Sequence, residues 1–252
     1  MWQQDIQYGI RALVKRPGFT IVLVVILALG IGANTAMFST INSILLRELP
    51  FEDPSHLVTV WETNPQKGVD KSPVSTLTFA QWQTQNNVFE QMAIYDVDTH
   101  VLTNAGEPER IPSAQVSPNF FSVLGVHASV GRTFAPDEDQ PGRDHVVMLS
   151  HSLWQRRFNS DPAVIGRTLV LSNTNYTVVG ILPQNFQFID QAELWSPLSK
   201  EDERQNCEAC NSFTVIARLK KDQSLEQARA DMTVLAGRLQ QQQQEPKGIN
   251  VV

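Results

Sequence analysis

The sequence predicts an α+β protein made of one N-terminal transmembrane helix followed by a mixed α+β domain outside the membrane. Between Arg16 and Arg47 run 30 residues without a charged side chain, whereas a membrane helix needs roughly 20 mainly apolar residues and soluble core helices rarely hold so long an uncharged stretch. Arg11, Lys15 and Arg16 stand just before this run against a lone Asp5, and Arg47, Glu48, Glu52 and Asp53 follow it. The positive-inside bias therefore puts the N-terminus in the cytoplasm. Beyond the run, short strand patterns are interspersed with capped helix starts, so the remainder combines strands and helices. The expected divisions are a cytoplasmic amphipathic segment at 1–17, a transmembrane and stalk helix at 18–46, and an extracytoplasmic domain at 47–252.

Composition agrees with a folded remainder. At 42% hydrophobic and 18% charged residues, the chain lacks the low hydrophobicity and high charge of disorder. Net charge is −6, with +2 in the first fifty residues and −8 in the rest, and an acidic exterior argues against nucleic acid as a partner. A cleaved signal peptide shares the basic start and apolar stretch. This run is longer than a secretory apolar region, and only Ala33-Asn34-Thr35-Ala36 faintly resembles a small-residue cleavage site, so an uncleaved anchor is the stronger reading.

In order along the chain, Trp2, Ile6, Ile10, Leu13 and Val14 form a helical stripe suited to the membrane interface, the alternative being an unstructured tail. Arg16-Pro17-Gly18 breaks it. A continuous helix from Phe19 to Leu46 would be about 42 Å long against a hydrocarbon core of about 30 Å, so it tilts or projects as a stalk. Ala28, Gly32 and Ala36 fall at i, i+4 and i+8, a ladder that admits a second helix closely, although Gly and Ala are also simply common in membrane helices. Leu57–Trp61 reads as a strand and the stretch to Pro73 as a polar loop. Thr78 looks like the cap of a helix through Phe79 and Trp82 and on toward Val88-Phe89.

Strands are expected at Met92–Tyr95, His100–Thr103 and Ser113–Val116. A short helix follows, opened by Ser117-Pro118 and stopped by Gly125. After the acidic loop Pro136–Asp144, Val146–Leu149 is a buried strand and Ser150 caps a helix through Phe158. Thr168–Ser172 and Tyr176–Leu182 form a hairpin about Asn173-Thr174-Asn175, and Glu193–Trp195 and Phe213–Leu219 add strands. Ser224-Leu-Glu-Gln227 is a capping box opening a helix whose stripe is Leu225, Ala228, Met232, Leu235 and Leu239, with Gln240–Gln244 as its fraying end.

Motifs for catalysis are not found. The five histidines lack zinc-protease spacing, and there is no G-x-S-x-G elbow, phosphate loop or dinucleotide fingerprint. No catalytic, cofactor-binding or metal-ligating residue is assigned, and no enzymatic activity is expected of the chain. Asp137-Glu-Asp139 with Asp144 departs from the twelve-residue calcium loop and reads as a solvated turn. Cys207 and Cys210 form C-x-x-C. Outside the membrane a local disulfide is the simplest outcome, with free thiols second and redox catalysis last.

Several patterns together resemble a bacterial ABC transporter permease: Arg16-Pro-Gly-Phe-Thr20, Ala28-Leu-Gly-Ile-Gly-Ala-Asn-Thr-Ala36, Leu45-Leu-Arg47 with Leu49-Pro50, and Leu57-Val-Thr-Val-Trp61. Val88-Phe-Glu90, Val116-Ser-Pro-Asn-Phe-Phe121, Gly131-Arg-Thr-Phe134, Leu153-Trp154, Val178-Val-Gly-Ile181 and Val215-Ile-Ala-Arg-Leu219 resemble the MacB-like periplasmic core domain, in the branch of acidobacterial-type orphan permeases that lack a fused nucleotide-binding domain. The resemblance implies a transmembrane helix rising into a mixed α+β periplasmic domain of two subdomains. It also implies three further membrane helices, so the chain reads as the N-terminal part of a permease.

From the same resemblance come the expected function and partners. The chain would be a non-catalytic permease subunit in the cell inner membrane, transmitting movement driven by a separate ABC ATPase subunit to its periplasmic domain for efflux. Its partners would be that ATPase, the remaining permease helices or a second permease copy in a dimer, a periplasmic adaptor, and the lipid bilayer. The alternatives are a stand-alone membrane-anchored binding or adaptor module and, third, an anchored hydrolase.

Overall fold

A computed structural model of the chain describes residues 17–45, 51–189, 191–202, 204, 207, 210, 212–243 and 248–252. These fall into two units, 1–48 and 49–252. The first contributes one helix, α1 (Pro17–Leu45), 29 residues long and so about 43 Å at 1.5 Å per residue. Pro17 opens it, where a missing N–H costs nothing. Ile21, Val22, Val24, Ile26, Leu29 and Ile31 are all exposed. Counting only described residues, no helix is long and apolar enough to cross a membrane. The amphipathic segment expected at 2–16 lies outside the described residues.

Among the described residues the second unit holds eleven strands in one hydrogen-bonded system, ordered β11-β1-β10-β3-β4-β9-β6-β8-β5, with β2 on β1 and β7 joining β8 to β3. The strands are β1 (Leu57–Asn64), β2 (Val69–Ser72), β3 (Phe89–Leu102), β4 (Glu109–Val116), β5 (Val130–Gly131), β6 (Val146–Leu149), β7 (Thr168–Leu171), β8 (Thr174–Ile181), β9 (Leu194–Pro197), β10 (Thr214–Leu219) and β11 (Gly248–Val251). Helices α2 (Thr76–Gln85), α3 (Phe120–Leu124), α4 (His151–Phe158) and α5 (Leu225–Gln243) pack on them.

One half of the unit is an antiparallel sheet, β1-β10-β3. Its first face is covered by Phe79 and Trp82 of α2 and by Ala228, Met232, Leu235 and Leu239 of α5, the stripe expected from helical spacing. The capping box of α5 is formed: Ser224 N–H donates to Gln227 Oε1 (2.7 Å) and Gln227 N–H to Ser224 Oγ (3.2 Å). The opposite face carries Ala93 and Ile216 and is filled by Phe120, Phe121 and Leu124 of α3 with Phe186 and Trp195. In the other half, pairings run in a ring, β3-β4-β9-β6-β8-β7 and back to β3. Leu102, Ile111, Leu149, Leu169, Leu171 and Val178 fill it, with Leu153 and Phe158 of α4.

The single strand β3 belongs to both halves. Met92 and Ile94 point into the first core and Leu102 into the barrel core. Its middle, Asp96-Val-Asp-Thr99, reads as a break in sequence. In the structure each aspartate accepts from the next residue's N–H (2.8 Å to Val97, 2.7 Å to Thr99), so the chain stays extended where two separate strands are expected. Likewise Pro112, read as a separator, lies inside β4. It lacks an N–H, but its carbonyl accepts from Glu193 N–H at 2.8 Å.

Other boundaries shift for local reasons. The cap of α2 is Ser75, accepting from Thr78 N–H (3.1 Å), not Thr78 itself, and Asn86 ends the helix, so Val88 lies in the connection and Phe89 opens the next strand. Ser117 does not cap α3: its hydroxyl accepts from Ile94 N–H and donates to Asn119 Oδ1. Gly125 does end α3, at φ 67 with its N–H returned to the helix. The hairpin turn is Ser172-Asn173, both at positive φ, with Leu171 opposite Thr174. That is the two-residue turn matched to strand twist. Strands β2, β5 and β11 were not anticipated. They are two to four residues long and pair at edges, too short to show a period.

Two glycines from the family-like motifs meet back to back. Gly131 of β5 faces Gly180 of β8. A Cβ on Gly131 would lie 2.3 Å from Val179 O, and one on Gly180 would lie 2.2 Å from Arg132 O. Close backbone approach, not turn formation, requires both.

Candidate functional site

Three polar constellations lie on the second unit. The first centres on Arg204. Its Nη1 reaches Asp96 Oδ2 (2.5 Å), its Nε and Nη2 take both oxygens of Asp202 (2.9 and 2.6 Å), and Nη2 also donates to Gln115 Oε1. The guanidinium carbon sits 4.9 Å from the centre of the Phe213 ring, a cation–π distance. Hydrogen bonding from Arg204 holds Asp202 below the usual carboxylate range. Burial pushes Asp96 upward, with Arg204 pulling partly back. Thr76 Oγ1 donates to the Arg204 carbonyl. The segment after β9 is thereby fastened to β3, β4 and α2.

Cys207 and Cys210 sit just beyond Arg204 and are joined, Cα–Cα 5.2 Å apart. Cys207 N–H donates to Arg204 O at 3.3 Å. The disulfide thus closes a small loop beside the arginine hub. Nothing in its sequence marks Arg204 as a hub: the signal is three-dimensional, since Asp96 and Gln115 lie 108 and 89 residues away in sequence.

In the second constellation, Arg156 of α4 bridges Glu193 (2.8 and 2.9 Å) and Glu109 (2.8 Å), and Arg157 Nε lies 2.7 Å from the other Glu109 oxygen. The hydrogen bonds that Arg156 donates to Glu193 depress the carboxyl and raise the guanidinium. This clamps α4 across the ends of β4 and β9. The acidic loop 136–144 is likewise paired: Glu138 with Arg132, Asp139 with Lys200, Asp137 with Arg143. Burial raises Glu138, but hydrogen bonds from Arg132 and Ala135 N–H outweigh it and leave the carboxyl depressed. Among the described residues no group of three acidic, cysteine or histidine side chains could hold a metal ion.

His100, Ser113 and Asp98 form a superficial triad. His100 Nδ1 lies 2.8 Å from Ser113 Oγ and Nε2 lies 4.0 Å from Asp98 Oδ2. A nucleophile needs access and its base needs orientation. Here Ser113 is 2% exposed and His100 7% exposed, and 4.0 Å is beyond hydrogen-bond reach. The pair packs, with Tyr176 edge-on to the imidazole.

The third feature is a polar cleft of about 880 Å³ between the start of α4 and residues 183–189 and 191–193, floored by Trp195. Of the other residues singled out in sequence, Ala28 and Gly32 lie exposed on α1, with open space around Gly32. The Ala36 backbone is helical and its side chain lies outside the described set.

Comparison with known proteins follows this geometry. The sequence pattern of the family described as the MacB-like periplasmic core domain matches residues 20–235. No curated protein matches the chain in sequence. Among solved structures, a domain of a candidate permease protein from Porphyromonas gingivalis superposes with a TM-score of 0.60 at 18% identity, covering 80% of this chain and 92% of that one. The periplasmic region of MacB from Actinobacillus actinomycetemcomitans gives 0.57 at 14% identity, covering 79% and 88%. The extracellular domain of YknZ, a noncanonic ABC-type transporter from Gram-positive bacteria, gives 0.57 at 12%, covering 78% and 99%. At these identities the likeness is one of fold.

Proposed function

Because the chain belongs to the family of MacB-like periplasmic core domains, we propose that it serves as a non-catalytic permease subunit of an ABC-type export system, passing ATPase-driven movement to a domain outside the inner membrane. The observation that carries this reading is β3. It runs 14 residues through both halves of the second unit and contributes side chains to the core of each. Packed cores transmit displacement because they are close-packed and resist compression, so a push on one half reaches the other through this shared strand and through the core that joins the sheet to Trp195 of β9.

Supporting observations concern place. The exposed apolar side chains of α1 would be costly in water and at home in lipid. The charges before it orient the N-terminus to the cytoplasm, and a disulfide at Cys207–Cys210 suits an oxidising compartment. A separate ATPase, a second permease copy and a periplasmic adaptor are the partners proposed, with Ala28, Gly32 and Ala36 as the contact for a neighbouring helix.

Co-expression with an ATPase subunit of the lipoprotein-exporting class tests the proposal. A complex recovered in detergent, with ATP hydrolysis that changes when two glycines are inserted after Asp96, is expected. Recovery of the chain alone, with no effect on any such ATPase, overturns it. The polar cleft favours the second reading, an anchored binding module, which predicts ligand binding with no ATPase response.

A further inference from the structure

The cleft floored by Trp195 is built for an uncharged, hydrogen-bonding ligand. Among the described residues its walls hold no lysine or arginine, one histidine, His151, edge-on to Trp154, and one carboxylate, Glu193, occupied by Arg156 and Ser152. The hydroxyls of Ser150 and Ser152 are likewise engaged, with Leu153 N–H, with each other and with Glu193. What the cleft offers instead are the side-chain amides of Gln155, Gln184, Gln187 and Gln191, each of which both donates and accepts. All four are exposed. The apolar members Phe186, Ile189 and Trp195 are 6, 7 and 1% exposed, so they back the wall and leave the amides in front.

Two further observations point to a missing occupant. Trp195 is buried, yet its indole Nε1 has no hydrogen-bond partner. A buried donor without an acceptor is costly and in native proteins is normally explained by a bound water or ligand. Gln191 holds φ at +63, a conformation that asparagine or glycine takes more readily than glutamine. Retaining a long amide side chain there places it in the cleft at the expense of backbone comfort.

We propose that this cleft binds a neutral polyhydroxylated ligand, the chemistry of an oligosaccharide. Arrays of hydroxyls alternate donor and acceptor as amides do, and they need no counter-charge. A peptide fits less well, because the strands around the cleft have no free edge to extend: β4 is paired with β3 and β9, β9 with β4 and β6, and β6 with β8 and β9. Main-chain augmentation is closed to it. A volume of about 880 Å³ lies within the usual span of small-ligand sites, roughly 300–1,000 Å³. The inference stands apart from the permease reading and would hold for an anchored binding module as well.

The test is a titration of the full chain in detergent micelles with cellotetraose and chitotetraose, followed by ¹⁵N–¹H spectra of the five tryptophan indoles and by calorimetry. Loss of one resonance in W195F assigns the reporter. Binding should shift the Trp195 resonance, because the ligand sits in front of the wall that this ring backs. The double variant Q187A/Q191A should weaken binding at least tenfold with the melting temperature unchanged, and Q191G should melt no lower than the parent while binding more weakly. An unmoved Trp195 resonance at millimolar sugar overturns the proposal. So does equal affinity in the glutamine variants, or a shift produced by tetra-alanine and not by either sugar.

Discussion

Leu102 at the end of β3 stands opposite Leu171 at the end of β7, and this one register pair closes six strands into a ring. Thr103 N–H to Val170 O (3.1 Å) and Ser172 N–H to Val101 O (2.9 Å) seal it, and Asn104 bridges both strands of the seam by accepting from Val170 N–H and donating to Thr168 O. Both leucines are buried, at 1% and 0% exposure. Leu102→Ala or Leu171→Ala should cost about 2–5 kcal/mol, read as a lowered midpoint in urea. Because the two side chains share one cavity, the double variant should cost less than the sum.

The seam explains how far the sequence could be read. The stripe Ala228, Met232, Leu235, Leu239 and the Ser224–Gln227 box are local, repeating signals, and α5 follows them. The seam depends on residues 69 positions apart with no local mark. The same holds for Arg204, whose partners come from β3 and β4. Pro112 and Asp96–Thr99 look like breaks because propensity counts local preference alone, while tertiary hydrogen bonds from Glu193 N–H to the Pro112 carbonyl and from Arg204 to Asp96 hold both in strands. The glutamine cleft lies between these cases: Gln184, Gln187 and Gln191 crowd together in sequence, but only the fold sets them before a buried Trp195.

The glycine contact gives a second prediction. With Gly131 and Gly180 placed backbone to backbone, Gly180→Ala must push β5 away from β8. A loss of about 1–3 kcal/mol is expected, visible as a lower melting temperature. Gly237, with open space around it and no positive φ, is the control for space alone.

Acid should unfold the domain through its ion pairs. Asp202, Glu193 and Glu138 all have depressed pKa values in the folded state. Their stabilisation is therefore complete above the unfolded values of about 3.9 for Asp and 4.3 for Glu, and is lost as the pH falls through the folded values. Asp96 is raised, so its contribution runs the other way and fades as the pH rises. The sum is a stability that drops below about pH 4.5. Arg156→Met should flatten that drop by freeing Glu193, as urea midpoints measured from pH 3 to 7 would record.

Cross-linking Cys207 to Cys210 limits the unfolded chain across a very short loop, which corresponds to about 2 kcal/mol. The variant C207S/C210S should lose up to that amount. Its effect should be smaller in an Arg204→Met background, because the two features hold the same segment. If the thiols were free in the native protein, alkylation of the untreated chain would tag both, and dithiothreitol would leave the melting temperature where it was.

The proposed orientation in the bilayer rests on three cations. Arg11, Lys15 and Arg16 precede the uncharged run, against Arg47 with Glu48 after it. Cytoplasmic retention follows the positive charges nearest the span and is little affected by acids, so the balance is three to one. Replacing all three with glutamine leaves Arg47 as the only cation flanking the run and should reverse or scramble the topology. Alkaline phosphatase fused after Val252 reports the result: it should be active in the parent and lose most of its activity in the triple variant, while a cytoplasmic reporter at the same position gains. Unchanged activity in the triple variant would mean that the large folded domain, not the flanking charge, determines which side it occupies.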